Sequence, residues 1–591
     1  MTAIARLLLL LVIFQSSAFA FEEIHLQLDS LETTFFNTKN IVLSLEPQQS
    51  SQPGLSLQIS NIHSPYIKQN FDASFDCVDL IYTVERINCG QGVLKIVYAE
   101  QEQIEIDFTF WINILDKSGQ LTLATTLKNG NVIADFQLDA DSNWQADIDA
   151  SGLELAFIST VLELFKEYSI IDGKASLKAH MGGSEDKFEN ISLDANFTQL
   201  GIEGESVLDS VDIHTQMDMK MVDDNWSFIT TLSLLAGEMY IQPGLNIMGE
   251  EPGFYIEVPA ESIDFRLAGN WRPDMNMIEL QDLYYSHPAV MQLQGSVRLA
   301  LAEEISYSDL TLHAVIEDLG SSYPTYVQPI LMQTNFSDLE LSGAIDLSLD
   351  YEGTELNQIE LFVDDLFLED VESRFGLYGL NSHLALHSES EAVQSTLRWD
   401  GMSFYRLDFG PGNILFESMG KDVSVLEWRD VSILDGGLII EEFALRNLAS
   451  SDFELELGGT LTPISMEALT QALGWTIFPG KLSGEISGLK YTKNNLSLEG
   501  DIAFKLFGGQ LNIQELQVDN LFSAYSVLTT DIKIDELDLE QLTDVFTFGK
   551  IEGSLNGRMD KLRLENWQPS YFEMEFSTPE KDDKPHRISQ K

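Results

Sequence analysis

The stretch that decides the fold is IEIDFTFWINI, residues 104–114, in which every even-numbered position is apolar. The odd-numbered positions are polar apart from Trp111. Because successive side chains of a β-strand point to opposite faces, this period of two predicts a strand with one apolar and one solvated face. The predicted apolar face carries Ile104, Ile106, Phe108 and Phe110.

The same alternation recurs along the chain, for example at residues 211–221, 345–350, 453–457 and 501–506. Antiparallel sheets tolerate one solvated face, whereas parallel sheets are covered on both faces. The pattern therefore predicts an all-β fold: an elongated, antiparallel, repeating sheet with an apolar face, with on the order of 40 strands if each strand and turn takes about 12 residues. Further candidates for the apolar lining are Met217, Met219, Ile345, Leu347, Ile502, Phe504 and Leu506.

Helical periodicity is confined to short stretches. Apolar stripes predict helices at Leu155–Phe165, at Met466–Leu473 and at Leu539–Phe546, with a weaker pattern at Tyr326–Gln333. Each is followed by a glycine that opens a new strand: Gly173, Gly343, Gly480 and Gly549. The last two begin the shared pattern G-K-[LI]-x-G-x-[IL]-x-G, 69 residues apart, which indicates a diverged internal repeat.

Charge excludes one large class of partners. The chain has 94 acidic and 34 basic residues, a net charge of −60. Nucleic-acid affinity depends on lysine and arginine neutralising phosphates, so we expect no nucleic-acid partner. Because the strands alternate, most of the acidic side chains belong on the solvated face of the sheet.

The N-terminus reads as an export signal. Arg6 precedes the apolar run Leu7–Phe14, and Ala18-Phe19-Ala20 has the small-x-small form of a cleavage site, so the mature chain is expected to begin at Phe21. The alternative is an uncleaved segment that keeps the protein at the membrane. With residues 1–20 as signal, we divide the chain into an N-terminal β region (21–150), a central repeat region (151–475) and a C-terminal β region (476–591).

The cysteines agree with export. There are only two, Cys77 and Cys89, close together in the sequence. In an oxidising compartment such a pair predicts a local disulfide bond, whereas two buried free thiols are the alternative. A metal site would need more ligands nearby.

No motif indicates catalysis. The chain lacks a G-x-S-x-G elbow, and its Gly474–Lys481 stretch departs from a phosphate-binding loop in spacing and in its last residue. His383 and His387 would lie about 13 Å apart on a strand, too far apart to bind one zinc ion. We therefore expect neither an enzyme nor a bound cofactor or metal.

The unit formed by strands, a short amphipathic helix and G-x-[LI]-x-G resembles the AsmA-like superfamily, which includes TamB and YdbH-like proteins. The resemblance is sharpest from Gly480 to Gln590, including GKIEGSLNGRMDKLRLENWQPSYFEMEFSTPE at Gly549–Glu580. It implies a repeating β-groove with an apolar interior, in the periplasm of a Gram-negative bacterium. It also implies a part in phospholipid transport between the inner and outer membranes, or in outer-membrane homeostasis.

The resemblance thus makes phospholipid acyl chains and envelope proteins of either membrane the expected partners. Two other functions stay open: an outer-membrane assembly factor that uses sheet edges, and an extracellular carbohydrate-binding or adhesive β-solenoid. Alternation alone does not distinguish an open groove from a closed sandwich, since it reveals an apolar face but not what covers it.

Overall fold

The computed structural model confirms an all-β, antiparallel protein: strands hold 75% of the residues and helices 7%. Within the described residues, 37 strands join one sheet and two more form a small second sheet. The predicted signal segment, with Ala20 and Phe21, lies outside the described residues. The structure describes residues 24–589 except for 33–36, 46–53, 65–66, 68–69, 99–101, 162–167, 186, 245–250, 302–304, 333, 335, 354, 389–391, 405, 421, 429, 447–452, 522–524, 547–548, 566–567 and 580–583.

The strands fall into two units. The first unit comprises Met1–Pro243, Tyr255–Pro288 and Leu299–Ser306, and the second comprises Gly244–Phe254, Ala289–Arg298 and Tyr307–Lys591. Up to residue 287 the strands are β1 (Ile24–Glu32), β2 (Asn37–Leu45), β3 (Leu55–His63), β4 (Phe71–Cys77), β5 (Leu80–Tyr82), β6 (Arg86–Tyr98), β7 (Glu102–Asn113), β8 (Gly119–Leu127), β9 (Gly130–Leu138), β10 (Asn143–Glu154), β11 (Ser169–Ser184), β12 (Lys187–Glu203), β13 (Val207–Val222), β14 (Asn225–Ile241), β15 (Phe254–Glu257), β16 (Ile263–Arg272) and β17 (Met277–His287).

The later strands include several short ones. They are β18 (Met291–Leu301), β19 (Ile305–Ile316), β20 (Leu339–Glu352), β21 (Glu355–Asp370), β22 (Phe375–His387), β23 (Val393–Trp399), β24 (Gly401–Phe404), β25 (Leu407–Phe409), β26 (Gly412–Met419), β27 (Asp422–Trp428), β28 (Val431–Ile433), β29 (Gly436–Arg446), β30 (Glu454–Ser465), β31 (Gly480–Thr492), β32 (Asn495–Glu499), β33 (Ile502–Leu506), β34 (Gly509–Asp519), β35 (Val527–Asp538), β36 (Lys550–Glu552), β37 (Ser554–Glu565), β38 (Gln568–Ser577) and β39 (Arg587–Ser589).

Strands pair mostly with their neighbours in the sequence. In the first unit, β9 to β14 form an unbroken antiparallel meander. In the second unit, one long strand often pairs with two short strands placed end to end: β22 pairs with β23 and with β24, and β31 pairs with β32 and with β33. The alternating sequence thus gives a sheet from local pairings, without the crossover helices that a parallel sheet requires.

Short helices occur at all four predicted places. They are α1 (Leu155–Val161), α2 (Leu319–Ser322), a π-helical turn (Tyr323–Val327), α3 (Gln328–Leu331), α4 (Met466–Leu473) and α5 (Leu539–Phe546). A polar residue caps α4 and α5: Ser465 Oγ accepts the N–H of Ala468, and Asp538 Oδ1 accepts the N–H of Glu540. No helix in the described part of the chain is both long enough and apolar enough to cross a bilayer.

The glycines that follow the helices have a conformational reason. Gly173, Gly343, Gly480 and Gly549 all have positive φ, between +109° and +151°. At Gly343, with φ of +111°, an added Cβ would stand 2.7 Å from Cα of Leu366 on the neighbouring strand. Only glycine fits such a position without strain. Gly480 is the first residue of β31 and Gly549 directly precedes β36, as predicted, whereas Gly173 and Gly343 lie inside β11 and β20, which begin four residues earlier.

Candidate functional site

The candidate site is the apolar face of the sheet in each unit. In the first unit, β7 shows the predicted alternation: Ile104, Ile106, Phe108 and Phe110 are buried or half-buried, whereas Glu105, Asp107 and Thr109 are exposed. The apolar face extends onto the two neighbouring strands, because Ile106 lies opposite Leu94 of β6 and Phe108 lies opposite Leu123 of β8.

Phe108 lies inside a closed core and not on an open surface. It is only 2% exposed and its ring stacks on Phe75, with 4.0 Å between ring centroids. The ring also lies over Gly92, where an added Cβ would meet it at 2.1 Å. This part of the apolar face therefore has no room for a ligand beside Phe108.

The predicted disulfide bond joins Cys77 to Cys89 in the same core. Both cysteines are buried, at 2% and 1% exposure. Asp79 shares the loop between them, and its Oδ1 accepts the backbone N–H of Gly90 and of Gln91 at 3.0 and 2.8 Å. Cys77, Asp79 and Cys89 come near enough together to hold a metal ion, but a disulfide offers no thiolate to bind one.

Further along the first unit, the apolar face changes from fully buried to half-buried. On β13, Val211 is fully buried at 0% exposure, whereas Met217, Met219 and Met221 are half-buried. The intervening Asp218 and Lys220 are exposed on the opposite face. One strand thus carries a closed core at one end and a partly open apolar face at the other.

Helix α1 covers the apolar face near the buried end of β13. Leu155 of α1 packs with Ala175 of β11 and Leu200 of β12, and Ile213 of β13 packs against the same cluster. Half-buried Met181 lies opposite Ile191, and Ile191 lies opposite Met219 on the next strand. We call Met181, Met217, Met219 and Met221 the methionine patch.

In the second unit, Ile345 and Leu347 lie on β20. Ile345 lies opposite Val363 and Leu347 lies opposite Leu361, both on β21. Ile345 packs against the cluster that includes Val363 and Trp399. Here both faces of β20 are half-buried, and Ile345 and Asp346 have a similar exposure. On β7, by contrast, one face is buried or half-buried and the other is exposed.

Ile502, Phe504 and Leu506 lie side by side on β33, largely beneath helices. Ile502 and Phe504 pack against a core that contains Met466 and Leu469, two residues of helix α4. Leu506, 9% exposed, packs with Phe507 and Leu537 in a core that α5 also covers. A cavity of about 640 Å³ adjoins this core, and charged Lys505, Asp535 and Glu536 are among its lining residues.

His383 and His387 both lie on strand β22. The His383 ring stacks on Phe362 of β21 with 4.2 Å between centroids. His387 Nε2 lies 3.9 Å from Glu360 Oε1. Neither contact brings the two histidines together on one ion.

Two features were missed by sequence reasoning. Buried Asp370 receives hydrogen bonds from Arg374 through Nε at 2.8 Å and through a terminal nitrogen at 2.5 Å. Burial acts to raise the pKa of Asp370, but the bonds from Arg374 outweigh it and hold the pKa below its ordinary value. The sequence D-V-E-S-R at residues 370–374 could have predicted this pair, because it places an acidic and a basic residue four positions apart.

The second missed feature is a set of side chains that stabilise β-bulges. At each bulge one residue takes a left-handed conformation, and an Asp or Asn of a neighbouring strand accepts its backbone N–H. The pairs are Asn61–Asp72, Gln199–Asp212, Asp365–Asn381, Glu536–Asn556 and Lys561–Asp531. Some of the acidic residues interpreted as solvated surface therefore have a structural role.

Comparison with known proteins assigns no family. No protein-family model matches the chain, and no curated protein matches it. The resemblance to the AsmA-like superfamily stays a prediction.

Proposed function

We propose that this protein is a non-enzymatic envelope protein of the AsmA-like kind, acting in the periplasm of a Gram-negative bacterium. In this proposal its sheet presents an apolar track to phospholipid acyl chains and takes part in their transport between the inner and outer membranes. The buried disulfide bond supports an oxidising compartment, because such bonds persist in secreted and periplasmic proteins.

The observation that supports the proposal is the separation of apolar and charged side chains onto opposite faces of β13. Met217, Met219 and Met221 are apolar, half-buried and next to other apolar side chains, whereas Asp218 and Lys220 face the other way. An acyl chain gains about 0.8 kcal/mol for each CH₂ group that it buries. A half-buried apolar strip whose side chains carry no charge therefore favours acyl chains over polar ligands.

Site-specific photocrosslinking tests the proposal. A photoreactive amino acid at Met219 should capture phospholipid in cells, and the same group at exposed Asp218 should not, because the two side chains leave the strand on opposite faces. Phe108, buried in a closed core, supplies a second position where no lipid should be captured. Equal capture at Met219 and Asp218, or none at Met219, would contradict the proposal.

Strand β38 favours the second candidate, an assembly factor that pairs with other β-proteins. All ten residues of Gln568–Ser577 are exposed, and within the described residues the strand pairs only with β37. An unpaired edge can accept a further strand. Crosslinkers at Tyr571 and Glu573 that captured a β-barrel protein, with no lipid captured at Met219, would favour this function.

A further inference from the structure

The methionine patch concentrates four oxidisable side chains on one strip of the apolar face. Met217, Met219 and Met221 alternate along β13, about 6.6 Å apart from one to the next. Met181 lies two strands away, separated from Met219 by Ile191. Thr230 of β14 lies opposite Met217, and Phe228 lies opposite Met219.

Exposure distinguishes these methionines from those in the cores. The four patch residues are half-buried, whereas Met239 and Met466 are buried at 5% and 3% exposure. Met275, Met332 and Met419 are far more exposed, at 62%, 63% and 56%. Because the patch side chains are partly exposed, a small oxidant can reach them more readily than it reaches the two buried sulfurs.

We propose that the methionine patch is a site of reversible oxidation that closes the apolar track. Each thioether sulfur attacks one oxygen of hydrogen peroxide; an S–O bond forms, the O–O bond breaks, and the departing hydroxide takes the proton of the newly bound oxygen to become water. The sulfur loses two electrons and the peroxide gains them. A dithiol-driven sulfoxide reductase returns the thioether and releases the oxygen as water.

Oxidation would place a polar sulfoxide oxygen among the apolar neighbours of the patch. A sulfoxide oxygen at Met219 would lie against Ile191 and Phe228, which offer it no hydrogen bond. An acyl chain that covers this oxygen must remove its water, which is unfavourable without a hydrogen-bonding partner. Since the patch side chains are already partly exposed, the oxidised protein keeps its fold and loses affinity for apolar ligands. This inference rests on the proposed function.

The test uses the full mature chain, intact phosphatidylethanolamine with a photoactivatable acyl chain, and dilute hydrogen peroxide. Both cysteines of the chain are already in the disulfide, so peroxide finds no free thiol to oxidise. The test variant replaces all four patch residues by leucine (M181L, M217L, M219L and M221L). The matched control replaces three exposed methionines instead (M275L, M332L and M419L).

We expect oxidation to lower lipid capture by wild type and by the control variant roughly tenfold, the effect of one unpaired polar group in an apolar contact. The patch variant should capture as much lipid as wild type and be insensitive to peroxide. Sulfoxide reductase should restore capture, and thermal melts should stay within about 2 °C, as a small effect on stability requires.

Mass spectrometry gives a readout that needs no lipid. Peptides with the patch residues should gain oxygen faster than those with Met239 or Met466. Equal rates, or unchanged capture after the patch is fully oxidised, would overturn the inference. If unoxidised wild type captures no lipid, the proposed function fails, and binding of a fluorescent apolar dye before and after oxidation then decides whether the patch controls this face.

Discussion

Asp212 holds a β-bulge in the neighbouring strand: its Oδ1 accepts the backbone N–H of Gln199 at 2.7 Å. Gln199 has a φ of +51°, and the register between β12 and β13 shifts at this point. The bulge turns one N–H out of the regular ladder, and the carboxylate supplies the missing acceptor. Asn381 and Asn556 do the same for Asp365 and Glu536, so an acceptor oxygen and not a negative charge is the common requirement.

Replacing this acceptor should loosen the bulge locally. We expect D212A to speed hydrogen exchange of the Gln199 amide about fivefold, because a hydrogen bond of this kind contributes about 1 kcal/mol. D212N is the matched control and should exchange at nearly the wild-type rate. Hydrogen exchange followed by mass spectrometry or NMR measures both. Fast exchange in D212N as well would show that the charge of Asp212 matters.

The buried pair Asp370–Arg374 should dominate the acid sensitivity of its turn. R374M removes the guanidinium group from beside a buried carboxylate, which costs about 3 kcal/mol or more. The comparable change R266M removes an exposed pair with Asp282, whose side chain is 41% exposed, and should cost less than about 1 kcal/mol. Urea denaturation of both variants provides the comparison, and equal losses would contradict the role assigned to burial.

The pH dependence of this pair has a defined sign. The pKa of Asp370 is lower in the folded protein than its ordinary value. Its stabilising contribution is therefore complete above the unfolded carboxyl pKa of about 3.9 and is lost as pH falls through the folded value. D370N should flatten the stability profile below about pH 4 relative to wild type. A profile that steepens in this range would show that the pair does not set it.

A charge on the apolar face should act differently where helices cover it. M219D places a carboxylate on the partly open strip, where water can still reach it, so we expect a nearly normal melt and loss of lipid capture. F504D places it beneath α4, against Met466 and Leu469, and should destabilise the protein by several kcal/mol. Thermal melts and lipid crosslinking separate the two. A collapsed melt for M219D would mean that this strip is closed.

Removing the disulfide bond should weaken the first unit. We expect C77A/C89A to lower its free energy of unfolding by about 3 kcal/mol, from the greater freedom of the unfolded chain. Because the sulfurs are buried, at 2% and 1% exposure, reductant without denaturant should leave wild type unchanged. Denaturation followed by tryptophan fluorescence measures the first effect. Rapid native-state reduction would show that the loop between the cysteines opens freely.

The sequence by itself determined the strands. Alternation at residues 104–114 specified the faces of β7, because side-chain direction in a strand depends only on position along the chain. The short helices, the glycines that follow them and the cysteine pair were likewise predictable. Each rests on a local rule: helical periodicity, the positive φ that glycine permits, or the closeness of two cysteines in the sequence.

Only the tertiary structure decided which parts of the apolar face are covered. Phe108, Phe504 and Met219 have the same local pattern, yet Phe108 is enclosed beside Phe75 and the disulfide, Phe504 packs against α4, and Met219 is half-buried between two neighbouring strands. The bulge acceptors and the Asp370–Arg374 pair also depend on residues brought together by strand register or a turn. Alternation fixes the direction of a side chain, but burial depends on what packs above it, and that is set by contacts between elements distant in the sequence.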